Sequence, residues 1–179
     1  MAIYKELEHR SKSVTDMALQ MMVAARTAPK GKGRNTLDML VVDGNEISAL
    51  SKQLHILGNR TNTEFYHRDG ENILQAEAIL LIGTKIETLG LNEICQLCGF
   101  KNCNEKEKHP NTPCVFNTGD LNLAVGSAVS LAADLRVDNR VMFSVGKAAQ
   151  ELEYFDSEIK IVYGIPLSAS SKNPFFDRK

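Results

Sequence analysis

The sequence predicts a two- or three-layer domain that mixes helices with three or four strands, α/β or α+β in class. Three observations carry that reading. Apolar residues recur at helical spacing within 13–25, 47–57 and 121–132. The run Ala78-Ile79-Leu80-Leu81-Ile82-Gly83 is short, aliphatic and unbroken, as a strand buried on both faces is. A second strand-like run, Ile159-Lys160-Ile161-Val162-Tyr163, lies near the end of the chain. Its 179 residues, 43% hydrophobic and 24% charged, fit one globular unit with its own core. No repeat, low-complexity tract or long Pro/Gly/Ser linker divides the chain, so 1–179 reads as a single domain.

The elements follow in order. A helix is expected from Ser13, where Ser13 and Asp16 form a capping box ahead of Val14, Met17, Ala18, Met21 and Ala25, and it stops at Pro29. Leu37 to Val42 reads as a strand closed by the turn Asp43-Gly44. Ile47, Leu50, Leu54 and Leu57 stripe a second helix, with Gly58 as its stop. The strand 78–83 is expected in the middle of a sheet. Asp120 is positioned to cap a helix through about Asp134, with Leu121, Ala124, Val125, Ala128, Leu131 and Ala132 facing inward. Gly126, Ser127 and Ala128 make it small-sided, which admits another backbone closely, in the middle of the fold or at a subunit contact. A helix over Asp138 to Leu152, the strand 159–163 and an irregular segment from Gly164 complete the chain. Phe175 and Phe176 do not sit comfortably in water, so the tail is expected to dock on the domain or on a partner subunit.

Charge narrows the function classes. Lysine plus arginine number 21 against 22 acids, so no global field draws the chain to nucleic acid or an anionic membrane, and any anion site is local. No basic n-region and apolar h-region open the chain, and its longest apolar run is too short to span a bilayer; the expected location is the cytoplasm.

All four cysteines fall within twenty residues, as Cys95-x2-Cys98-x4-Cys103-x10-Cys114. Two disulfides are not expected in a cytosolic chain. Four thiolates can hold tetrahedral zinc or a four-iron cluster. A zinc ribbon presents two Cys-x2-Cys knuckles, whereas here one such pair is followed by a third cysteine and a distant fourth, a pattern nearer to iron–sulfur ligation. Gly99, Asn102 and Asn104 leave backbone N–H groups free to face inorganic sulfides. His109 could replace a ligand or be an exposed loop residue; His9, His55 and His67 form no ligand pattern.

Two basic segments carry glycine or serine. Residues 25–34, Ala-Arg-Thr-Ala-Pro-Lys-Gly-Lys-Gly-Arg, can wrap a phosphate, or can complement the dipole at the end of the first helix. The tail 164–178 offers three serines, Lys172, Asn173 and Arg178 as anion ligands.

The segments 25–33, Cys-x2-Cys-Gly-Phe-x2-Cys (95–103), Val-Asp-Asn-Arg-Val-Met-Phe-Ser-Val-Gly (137–146) and 164–178 together resemble the uncharacterised ferredoxin-domain-containing family over nearly the whole chain. The cysteine segment is also similar to the Cys-x2-Cys-Gly-x3-Cys motif of four-iron subunits in one-carbon enzymes. This resemblance implies a [4Fe–4S] cluster on Cys95, Cys98, Cys103 and Cys114, with zinc as the alternative, in an insertion spanning 91–118. A more distant resemblance is to the FMN-binding nitroreductase fold, carried by Ala25 to Gly31, the helix after Asp120 and Gly164-Ile165-Pro166. It implies an α+β, three-layer domain with a mixed, mainly antiparallel sheet, and intertwined homodimers with flavin at their interface. Arg26, Thr27, Pro29 and Lys30 would line an FMN edge, with Lys172 or Arg178 near its phosphate. Lys30 stands where that family has serine, and Arg10-Ser11-Lys12-Ser13 is only a fragment of its upstream phosphate motif. The function these features imply is a redox protein, either passing single electrons to or from a redox partner protein or carrying out FMN-dependent oxidoreductase chemistry on a substrate the sequence does not name. The alternative is a non-catalytic domain whose cysteines hold structural zinc or a cluster and which binds a partner or small ligand. No residue reads as a general acid or base.

Overall fold

The computed structural model describes residues 2–178. In order, the elements are α1 (Glu6–Thr27), β1 (Leu37–Asp43), α2 (Asn45–Thr61), α3 (Glu64–Ile73), β2 (Ala78–Lys85), α4 (Cys103–Glu107), α5 (Val115–Asp134), β3 (Asp138–Asn139), α6 (Phe143–Glu151) and β4 (Ile159–Ser168). The strands form one sheet in the order β1-β2-β4-β3. The expected mainly antiparallel sheet is antiparallel at every named pairing, β1 with β2, β2 with β4, and β3 with β4.

β2 is central, as its aliphatic run predicts, and its period of two divides the core. Ala78, Leu80 and Ile82 pack with Val14, Ala18 and Met21 of α1 and with Leu121, Ala124 and Ala128 of α5. Ile79 and Leu81 pack on the other face with Leu50 and Leu54 of α2, Ile73 of α3 and Val145 and Ala148 of α6. The result is three layers, with helices on both faces of the sheet. Each large aliphatic so buried contributes about 1.5–3 kcal/mol of transfer free energy.

Several boundaries differ from those expected. α1 starts at Glu6 rather than Ser13, because residues 6–12 are good helix formers and Arg10 pairs with Glu6 one turn back. Ser13 and Asp16 are exposed mid-helix residues, not a cap. Gly58 does not end α2: the helix runs to Thr61 and closes on Asn62 in the left-handed region. Gly58 instead admits α3, since a Cβ there would lie 2.6 Å from the His67 ring. α3 has no counterpart in the sequence reading, because its buried side includes Asp69 and Asn72 and its apolar periodicity is diluted. α5 begins at Val115, and Asp120 lies inside it, buried. Its small face meets α1, where Ser127 Oγ donates to the Ala24 carbonyl across 2.8 Å.

The expected helix over 138–152 is shorter. Asp138 and Asn139 pair with the end of β4, and Met142 bridges to Gly164, so the helix starts at Phe143. The same pairings extend β4 to Ser168 where an irregular segment was expected, and residues 164–168 are buried. The tail docks as predicted at Phe175, which is fully buried. Phe176 is 56% exposed beneath the Arg140 guanidinium.

Candidate functional site

Cys95, Cys98, Cys103 and Cys114 lie between β2 and α5, and all four line one pocket together with Leu89 and Phe100. None is in a disulfide; Cys114 is buried and the other three are half-buried. The backbone is shaped to bring them there. Leu91 is right-handed and Asn92 left-handed (φ 51°); Cys95 and Gln96 repeat the pair (φ 51° at Gln96). Successive right- and left-handed residues turn consecutive N–H groups towards one side, the concavity that holds anions and iron–sulfur groups. Gly99 follows with φ 83°, a conformation that glycine adopts without strain. The N–H of Asn92 already donates to Cys103 Sγ across 3.2 Å.

Cys103 opens α4, whose start is held by Asn102 accepting from the Glu105 N–H while Glu105 accepts from the Lys101 N–H. Cys114 occupies the N-cap of the twenty-residue α5, where the positive end of the helix dipole favours negative charge. Among the described residues no three His, Cys, Asp or Glu side chains close on a single metal-ion position. The sulfurs surround the pocket rather than meeting at a point. The donor set, four soft sulfurs with the Asn92 N–H already on one of them, fits a thiolate-bound cluster in kind. The N–H that reaches a sulfur is not among those expected free: Gly99 donates to the Gln96 carbonyl, Asn102 is the extended N-cap of α4 and Asn104 lies within that helix. His109 is exposed and stacks on Phe100 with ring centroids 5.0 Å apart, a packing role.

The basic segment 25–34 is brought to the same pocket, in a role the sequence did not reveal. Lys30 caps α1, donating to the carbonyls of Ala25, Arg26 and Ala28 at 3.0, 2.9 and 2.6 Å. Burial, and then the neighbouring Arg26, push its ammonium below the ordinary lysine pKa. Arg26 reaches Asn35 and the Leu37 carbonyl, and Thr27 its own helix at Ala24. Pro29 follows the helix C-cap. Lys32 donates to the Gly90 carbonyl at 2.9 Å; Arg34 donates to the Thr88 carbonyl and pairs with Glu87. A Cβ on Gly31 would lie 2.7 Å from Leu89, and the Gly31 N–H donates to both oxygens of Asp120. This loop therefore clamps residues 87–90, the wall of the cysteine pocket. Asn117 completes the brace, accepting from the Glu87 N–H and donating to Thr36 and Thr84. Asn117 and Asp120 escaped the sequence reading as organisers, since their spacing after Cys114 reads only as a helix start.

The two basic segments do not converge within one chain. Arg26, Thr27, Pro29 and Lys30 lie at the end of α1, against one face of the sheet. Lys172, paired with Asp177, and Arg178, beside Arg68 and Glu71, lie in the tail, which packs through Phe175 on the other face.

A model of the family described as uncharacterised proteins containing a ferredoxin domain matches residues 110–178, a span that includes Cys114 and the tail. An uncharacterised protein of Archaeoglobus fulgidus is 39% identical over 186 aligned positions, covering 98% of this chain and 97% of that one. A nitroreductase family protein from Clostridium novyi NT superposes with TM-score 0.58 at 13% identity, covering 94% of this chain and 76% of that chain. A nitroreductase with bound FMN from Desulfitobacterium hafniense DCB-2 gives TM-score 0.60 at 16% identity, covering 88% and 79%. The fold is thus nitroreductase-like. Among the described residues no helix is long and apolar enough to cross a membrane.

Proposed function

From the premise that this chain belongs to the family of uncharacterised proteins containing a ferredoxin domain, we propose that it is a redox protein whose Cys95, Cys98, Cys103 and Cys114 hold a [4Fe–4S] cluster. The observation that carries the reading is that all four cysteines line one pocket, beside left-handed backbone at Asn92, Gln96 and Gly99 and with the Asn92 N–H on Cys103 Sγ. When bound, such a cluster takes up and releases one electron at a time. The cysteines supply the ligands, the Asn92 N–H donates to Cys103 Sγ, and the 30–34 loop holds the pocket wall in place. The electron comes from a reduced protein donor and leaves to an oxidised acceptor, both outside this chain. The cytoplasm is the compartment in which four unpaired thiols stay reduced for ligation.

Flavin at a homodimer interface is the second component of the proposal. The fold shared with an FMN-bound nitroreductase supports it. Arg26, Thr27, Pro29 and Lys30 on one face, and Lys172 and Arg178 on the other, could meet one FMN only across two chains. Leu19 and Val23 of α1 and Leu123 of α5 are exposed apolar residues available to such an interface.

Anaerobic purification followed by iron, acid-labile sulfide, zinc and flavin analysis, with light scattering for mass, tests both components. Four irons and four sulfides per chain are expected, with FMN in the dimeric fraction. Stoichiometric zinc without sulfide would refute the cluster and favour a bracing role for the cysteines, and a monomer free of flavin would refute the interface.

A further inference from the structure

His55 of α2 and His67 of α3, both half-buried, meet nitrogen to nitrogen: their Nδ1 atoms are 2.9 Å apart and their ring centroids 5.2 Å, which sets both nitrogens on the line between the rings. That is the arrangement of a shared hydrogen. Each ring also lies over a glycine of the opposite helix. A Cβ on Gly58 of α2 would be 2.6 Å from His67 Nε2, and one on Gly70 of α3 would be 3.2 Å from His55 Nε2. Glu71 Oε1 lies 3.1 Å from His55 Nε2 and favours the hydrogen on that nitrogen. His55 Nδ1 is then the acceptor and His67 Nδ1 the donor.

This bond tolerates one added proton, which His67 Nε2 takes. A second proton has only His55 Nδ1 to bind, and it sets N–H against N–H with two cations in contact. The surrounding charges do not offset that. Among the described residues Glu71 alone is within ion-pair distance of either ring. Glu64 and Arg68 of α3 and Asp177 and Arg178 of the tail line the cleft beside His67, two acids against two arginines, with Arg68 tied to Asp69 and Asp177 to Lys172. On α2, Lys52 stands one turn before His55, and Arg60 is tied to Glu151. α3 in turn holds the tail, since Asn72 Nδ2 donates to the Phe175 and Asp177 carbonyls, each at 3.4 Å.

We propose that His55 and His67 form an acid-sensitive clasp that keeps α3, and with it the C-terminal tail, against α2. The inference is independent of the cluster and flavin readings. The closed clasp holds at most one added proton and the open one holds two, so opening becomes easier as pH falls through the imidazole range.

The test is amide hydrogen exchange read by mass spectrometry on the full chain at pH 7.5 and pH 5.5, corrected for the intrinsic rate at each pH. Wild type should lose about tenfold protection over 64–73 and 169–178 in acid, the factor that one extra proton gives over the pH unit below about 6.5, while α5 keeps its protection. His67→Gln keeps a hydrogen-bonding side chain that cannot be charged, so its protection over those segments should be equal at both pH values. Unchanged protection in wild type, an equal loss in α5, or a full acid response in His67→Gln overturns the proposal. If His67→Gln does not fold, nitrogen-15 NMR of the wild-type imidazoles decides. One added proton on the pair until α3 loses protection supports the clasp, and a doubly protonated pair beneath a protected α3 overturns it.

Discussion

The backbone N–H of Asn92 donates to Cys103 Sγ across 3.2 Å, closing the cysteine-bearing loop on itself. The bond depends on Asn92 keeping φ near 51°, which asparagine and glycine tolerate and β-branched residues do not. Asn92→Gly is expected to retain wild-type iron and sulfide, and Asn92→Val to lose most of both. Equal metal content in the two purified variants would mean that this backbone geometry does not matter to the site.

Cys114 separates ligation from folding. It sits at the N-cap of α5 with extended backbone and no side-chain cap bond, and serine is among the best N-caps. Cys114→Ser should therefore unfold, as the metal-free protein, within about 1 kcal/mol of metal-free wild type. Its iron content should nonetheless collapse. Calorimetry and iron analysis read the two effects independently, and wild-type iron would remove Cys114 from the ligand set.

A pair of glycines tests the packing of the layers. A Cβ on Gly146 of α6 would lie 1.9 Å from the Val162 carbonyl oxygen, a backbone atom that cannot swing aside. Gly146→Ala is expected to cost about 3 kcal/mol through overpacking. Gly126 of α5 has nothing within 4 Å of the same position, so Gly126→Ala should gain about 0.5–1 kcal/mol from reduced chain entropy. Urea denaturation of the two variants should move in opposite directions.

Lys30 closes α1 through three carbonyls at 2.6 to 3.0 Å. Lys30→Met keeps the aliphatic stem and removes the donors, and should destabilise the fold by about 1–2 kcal/mol. The clamp of Lys32 and Arg34 on residues 87–90 is separate, so iron content should survive this change. Loss of iron in a folded Lys30→Met would join the helix cap to the pocket after all.

Glu151 ties the end of α6 to α2. The hydrogen bond from Arg60 is the main cause holding its carboxyl below the ordinary range; a bond from Gln53 adds to it, against the opposing effect of burial. A carboxyl whose pKa is lower folded than unfolded stabilises the protein fully above the unfolded value, and that contribution is lost as pH falls through the folded value. Unfolding midpoints of wild type should therefore drop more steeply between about pH 5 and pH 3 than those of Glu151→Gln. Parallel curves would show that the pair contributes nothing to stability.

The central strand, the four-cysteine motif and the inward faces of α1 and α5 were legible because each depends on residues close in sequence. A run such as Ala78 to Ile82 has few ways to avoid water other than burial on both faces. α3 was not legible, because Asp69 finds Ser144 at 2.6 Å, a partner seventy-five residues away that makes a polar face burial-competent. Asp120 is the sharper case. Its type and place read as a cap, and the structure uses it as the acceptor for Gly31, eighty-nine residues distant.

By itself, then, the sequence determined the chemistry of the pocket: four thiols, their spacing, and the Gly99 that takes left-handed backbone beside them, whereas the left-handed Asn92 and Gln96 emerged only in the fold. Those are local properties, set by side-chain type and by allowed φ. Only the tertiary structure decided what the basic residues do. Lys30, Lys32 and Arg34 are cations that could serve a phosphate, a helix end or a loop, and their sequence neighbours do not distinguish these. The fold places the carbonyls of 25–28 and 88–90 within hydrogen-bond reach, and a charged donor at a protein surface settles on the acceptors nearest to it.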